Sequence, residues 1–115
     1  MGIGDTAGLR EFVSFASEVG FGFVQLLPIN ETGPDNSPYN AISSVAIEPM
    51  TLDCSPEGLK DLTEVASAEV LASYDIAALN KGGVQYGEVR KLKKELLLRS
   101  FEQFMRDVYG RVDVR

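Results

Sequence analysis

The chain has no histidine and only one cysteine, Cys54. An internal disulfide, a zinc-finger spacing, a Cys–His nucleophile pair and a Ser-His-Asp triad are therefore all excluded from within it. Cys54 is expected to be a small, half-buried apolar residue. The sequence also lacks an 18-residue apolar run and a charged-then-apolar leader. Membrane spanning and secretion are left without support, and the cytoplasm is the expected compartment. Basic residues are scarce: Arg10, Lys60 and Lys81 are the only three in residues 1–85, against twelve acidic ones, and the net charge is −6. That balance argues against nucleic acid as the main partner, because phosphate binding needs a basic face.

What remains is a chain of 115 residues, 44% hydrophobic and 24% charged, which suits one soluble domain. Asp5 or Thr6 is placed to cap a helix over residues 7–19, with Leu9, Phe12, Val13, Ala16 and Val19 at helical spacing as its buried face. Gly20 suits the position just past its end. "FGFVQLLP" follows and reads as a short strand buried on both faces, ended by Pro28, which has no N–H for a ladder. Residues 41–52 suggest a helical turn and then an extended segment. Ser55-Pro56-Glu57 suggests a helix start, residues 66–74 a short helix, and residues 80–83 a turn.

Residues 88–108 read as one long helix, with Val89, Leu92, Leu96, Phe101, Phe104, Met105 and Val108 on its apolar stripe. Glu95–Arg99 and Glu102–Arg106 have the favourable i, i+4 orientation. The basic cluster Arg90, Lys91, Lys93 and Lys94 reads as a solvated helix face.

The loop after Pro28 is unusual. "INETGPDNSPYN" holds two prolines, one glycine, three asparagines, one aspartate, one glutamate and a single aromatic, Tyr39. Pro34 and Pro38 fix two φ angles, and Asn30, Asp35 and Asn36 are able to lock local turns. A helix leading into a buried strand, with a long loop at its carboxyl end, is the arrangement by which a β/α barrel builds its active site. A stiff polar loop with one aromatic suits a sugar, whose apolar face lies on a ring while amides and hydroxyls meet its OH groups. A competing reading starts from "GIGDTA", where Gly2, Gly4 and Ala7 fit the G-x-G-x-x-A of a Rossmann-like dinucleotide site, with Glu31 as the ribose acid. Two objections stand against it. Only Met1 precedes the motif where a strand is needed, and Asp5 would repel the pyrophosphate.

"GIGD", "LREFVSFASEVG" and "VQLLPINETGPDNSPYNAISSVAIEP" together resemble the N-terminal region of the 4-α-glucanotransferases, the amylomaltases or disproportionating enzymes of glycoside hydrolase family 77. Gln25, Leu27, Pro28, Thr32, Gly33, Ser37, Pro38, Tyr39 and Pro49 fall in register with that family's pattern. "GGVQYGEVRKLKKELLLRSFEQF" resembles its later tyrosine segment and long helix. The resemblance implies an α/β fold: the N-terminal portion of a (β/α)8 TIM barrel with a helical insertion, incomplete and mostly helical here. Residues 1–28 would be the first barrel helix and following strand, 29–54 a substrate-binding loop and 55–115 the insertion.

The resemblance further implies a retaining transfer of α-1,4-glucan segments between maltodextrins. A nucleophilic carboxylate and an acid/base carboxylate carry such chemistry, and the family's carboxylates lie downstream of residue 115, so the chain alone is expected to be inactive. No metal or organic cofactor is expected. The partners implied are an α-1,4-glucan or maltooligosaccharide and the remainder of the barrel. The match puts Tyr39 beside the glucose at the cleavage point, with Ser37, Asn40 and Asn36 near its hydroxyls. Glu31 and Asp35 share the loop but read as turn chemistry rather than as an acid pair. Three positions depart from the pattern: Pro34 replaces a frequent second tyrosine, Asn36 a frequent aspartate, and Gln85 another. A non-catalytic carbohydrate-binding fragment is the remaining alternative.

Overall fold

The computed structural model describes residues 1–109; the end of the expected insertion, 110–115, lies outside them. The chain divides into two compact units, one of Ile3–Asp53 and one of residues 1–2 with the chain from Cys54 onward.

The first unit opens with α1, Thr6–Glu18. Asp5 caps it: one carboxylate oxygen accepts from the N–H groups of Ala7 and Gly8, both at 3.2 Å. At the other end Gly20 has φ +91°. Its N–H donates to Ser17 O at 3.0 Å, and Phe21 N–H donates to Ala16 O at 2.9 Å. These two bonds form a Schellman motif and satisfy two carbonyls the helix would otherwise leave open.

The expected apolar face of α1 exists but is covered only at Ala16. Phe12, Val13 and Val19 remain exposed. Together with Leu9, Leu26, Leu27, Ile29 and Ile47, Phe12 borders an open apolar concavity of about 440 Å³.

The strand expected at residues 21–27 does not form among the described residues. No hydrogen bond among the described residues involves residues 22–28, and Phe23 is 77% exposed. A strand is made by its neighbours, and no described segment lies alongside this one to supply the ladder. The chain instead makes two isolated antiparallel bridges farther on, Asn30↔Ile47 and Thr32↔Ala41. The second half of residues 41–52 ends in a single 3-10 turn, Pro49–Thr51. The described fold is thus mostly helical, with no strand.

The second unit holds α2 (Glu64–Leu71), α3 (Ile76–Leu79) and α4 (Tyr86–Tyr109). Thr63 Oγ1 caps α2 by accepting from Ala66 N at 3.2 Å. The one-turn α3, too short to show a period in sequence, is capped by Asp75, which accepts from Ala78 N at 2.9 Å. Ser55-Pro56-Glu57 makes only a turn. Ser55 O accepts from both Gly58 N and Leu59 N, and Gly58 weakens any continuation.

α2 packs on α4. The buried apolar residues of this unit are Cys54, Leu62, Val70, Leu79, Val89, Leu92 and Leu96. Cys54 is fully buried rather than half-buried. The stripe of α4 is buried at Val89, Leu92 and Leu96, whereas Phe101, Phe104 and Val108 are exposed.

Two further expectations for α4 need correction. Lys93 is not on a solvated face: it is fully buried, while Lys91 and Lys94 are exposed. Positions 89, 92, 93 and 96 follow i, i+3, i+4, i+7, so helical period alone puts Lys93 on the buried side. The expected i, i+4 ion pairs are replaced. Glu95 accepts from the Tyr74 hydroxyl at 2.8 Å, and burial with that carboxylate alongside pushes the Tyr74 pKa up to about 12. Arg99 pairs with Glu102 at 3.8 Å, and Arg106 donates to Gln103.

Candidate functional site

The loop of residues 29–48 is built on two crossings of its own chain. Glu31 N donates to Ala46 O at 2.9 Å, Ile42 N to Glu31 O at 2.8 Å and Glu48 N to Ile29 O at 2.9 Å. Beneath them sits Glu48, only 4% exposed. Its Oε2 accepts from both the N–H (3.0 Å) and the hydroxyl (2.9 Å) of Thr32, and its Oε1 from Met50 N at 3.3 Å. A buried carboxylate accepting several N–H and O–H donors joins the two ends of the loop with charge-assisted bonds.

Glu48 was not among the residues singled out from sequence. One local signal pointed to it: a glutamate before Pro49 in an otherwise apolar stretch is a helix-start pattern, and Glu48 does cap the 3-10 turn. Its bond to Thr32, sixteen positions away, has no local signal.

At the tip, two turns follow each other. Asn36 N donates to Gly33 O at 3.1 Å and Asn40 N to Ser37 O at 3.0 Å. Asn36 takes φ +54°, a conformation asparagine tolerates better than most residues, and its side-chain amide donates to Pro34 O at 3.2 Å. Pro38 sits at the second position of the 37–40 turn, where its fixed φ is favourable. Tyr39 follows at the apex, which leaves it 76% exposed.

Asp35 ties this tip together. One carboxylate oxygen accepts from Ser37 N at 3.3 Å and the other from Asn40 Nδ2 at 2.9 Å. Ser37, Tyr39 and Asn40 are thereby gathered on one short segment, with Asn36 adjoining. Among the described residues the Glu31 side chain has no hydrogen bond, and Asp35 serves the turn.

The amide of Asn40, and secondarily the N–H of Ser37, hold the Asp35 carboxyl below its ordinary value of 3.8. A carboxyl lowered in this way supports the folded tip above its unfolded value. The support is lost as pH falls through the lowered one. The pH-dependent movement of the Asn40 side-chain NH2 resonances should therefore have its midpoint below 3.8. A midpoint at or above that value would show that the carboxylate is not engaged.

The glycine motif at the start is used otherwise than for a nucleotide. Gly2 has φ +75°, and a Cβ there would meet Leu79 O at 2.6 Å. Its N–H donates to Asn80 Oδ1 at 2.8 Å. The first N–H groups of α1, which a phosphate would need, are taken by Asp5. Among the described residues no group of three His, Cys, Asp or Glu side chains is placed to hold a metal ion. No described helix is long and apolar enough to cross a membrane.

Comparison with known proteins gives one consistent result. The sequence model of a family described as 4-alpha-glucanotransferase matches residues 1–112. A 4-alpha-glucanotransferase of Chlamydia pneumoniae is 35% identical over 89% of this chain and 19% of its own length. One of Aquifex aeolicus is 33% identical over 91% of this chain and 21% of its own. The 4-alpha-glucanotransferase DPE2 of Oryza sativa subsp. japonica is 31% identical over 91% and 13%. The chain thus spans about a fifth or less of these relatives. No solved structure matches it significantly.

Proposed function

The chain belongs to the 4-alpha-glucanotransferase family, and from that membership we propose that it forms the N-terminal part of an enzyme moving α-1,4-glucan segments between maltodextrins. Residues 1–28 supply a helix and a segment that becomes a strand of a (β/α)8 barrel only when the rest of the barrel pairs with it, 29–54 a substrate loop, and the chain from residue 55 an insertion that is helical over its described part. Its setting is the cytoplasm. In this reading the retaining carboxylates lie in the part of the enzyme that corresponds to the four-fifths of its relatives outside the matched region. Exposed Phe23, Leu26 and Leu27, with their unbonded backbone, are the surface that barrel neighbours would cover.

The observation that carries the reading of the loop is Tyr39: an aromatic 76% exposed at the apex of a turn held by its own side chains. Within its own unit the ring pins nothing down, since the buried apolar residues there are Ala16 and Met50, and it stands on a tip that Asp35 holds without it. An exposed, pre-ordered ring is instead a platform for the apolar face of a glucose unit, and freezing it in advance spares entropy on binding. Ser37, Asn36 and Asn40 offer polar groups to the sugar hydroxyls around it.

The test is a chimera in which residues 1–115 replace the matching region of the Aquifex aeolicus 4-alpha-glucanotransferase, assayed for conversion of maltotriose into glucose and longer dextrins. The chimera should be active and the isolated chain inactive. Tyr39→Ala in the chimera should lower turnover about 5- to 30-fold, as expected for losing ~1 to 2 kcal/mol of ring contact, with its melting temperature little changed. A drop of ~5 °C or more with turnover per folded molecule unchanged would make Tyr39 structural. A folded but inactive chimera would count against the assignment as a whole.

A further inference from the structure

The amide of Asn40 is asymmetric in its surroundings. Its Nδ2 donates to Asp35 Oδ2 at 2.9 Å, while no described group donates to its Oδ1. An ionised carboxylate only accepts. Asp35 therefore selects one of the two amide orientations: NH2 inward, carbonyl oxygen outward. That oxygen lies on an exposed residue directly after the exposed Tyr39. The second Asp35 oxygen is engaged by Ser37 N at 3.3 Å, so the carboxylate itself is fixed from both sides.

We infer that Asp35 is a positioning residue for glucan binding: it holds Asn40 so that Oδ1 accepts a hydrogen bond from a hydroxyl of the glucose unit lying on Tyr39. This rests on the sugar-platform reading of the loop and adds to it a definite acceptor and the side chain that aims it. Asp35 does not touch the sugar; it acts through Asn40. Without it the Asn40 side chain rotates freely, and the binding event must order it.

A double-mutant cycle on the full chain separates this role from a merely structural one. The probe is maltotriose, titrated against wild type, Asp35→Ala, Asn40→Ala and the double variant, with the Tyr39 ring and residue-40 signals followed by NMR. Each single substitution should weaken binding about three- to tenfold. The double variant should bind no more weakly than Asn40→Ala, because Asp35 has nothing left to aim. Asp35→Asn should recover part of the loss, since its amide still bonds the Asn40 amide.

If the two losses multiply in the double variant, Asp35 acts on the loop as a whole through Ser37, and this inference falls while the sugar reading stands. If the wild-type Tyr39 and Asn40 signals ignore maltotriose, both fall together.

Discussion

Glu48→Ala is expected to destabilise the Ile3–Asp53 unit by about 3 kcal/mol. The substitution leaves the Thr32 N–H, the Thr32 hydroxyl and the Met50 N–H without the carboxylate they now reach at 3.0, 2.9 and 3.3 Å. Glu48 and Thr32 are both buried, so water replaces these bonds poorly. An orphaned buried donor costs ~1–3 kcal/mol. The longest of the three bonds contributes least, and removing the desolvated charge returns part of the loss, which sets the total below a simple sum. Glu48→Gln should lie between the two: its one carbonyl oxygen still accepts, but its NH2 faces a donor.

Hydrogen exchange is the measurement of choice, because it reads the loop separately from the helical unit. Protection should drop at Thr32, Met50 and Ile42 in the alanine variant and persist within α1. Wild-type protection at Thr32 and Met50 would show that the loop does not depend on this carboxylate.

Leu92→Ala should be among the most costly apolar truncations in the second unit, at ~2–5 kcal/mol, because Leu92 is 0% exposed on the helix that packs against α2. Phe101→Ala removes a larger side chain from the same helical stripe, yet it should cost less than ~1 kcal/mol, since Phe101 is 56% exposed. Chemical denaturation of the two variants compares them directly. Equal losses would mean that the stripe of α4 is covered along its whole length. The contrast matters because the period of the sequence does not distinguish the two positions.

The sequence by itself determined the elements whose bonds are local. α1 was legible from Asp5, the apolar period and Gly20, because a helix closes its hydrogen bonds four residues back and its caps lie within three. α4 was legible for the same reason, as was the stiffness of the 30–40 loop, whose prolines and Asp35 bond or restrict their near neighbours. The order of residues from Gln25 to Pro49 carried the family as well.

Only the tertiary structure decided what depends on distant partners. Residues 21–27 have the composition of a buried strand, but a ladder requires a second segment, and among the described residues none pairs with them. Lys93 has the chemistry of a surface residue, but helical phase turns it inward beside Leu92. The link from Thr32 to Glu48 joins positions sixteen apart, a separation that neither periodicity nor turn chemistry reaches. Local propensity is written in spacing along the chain, whereas burial and pairing are properties of which surfaces meet.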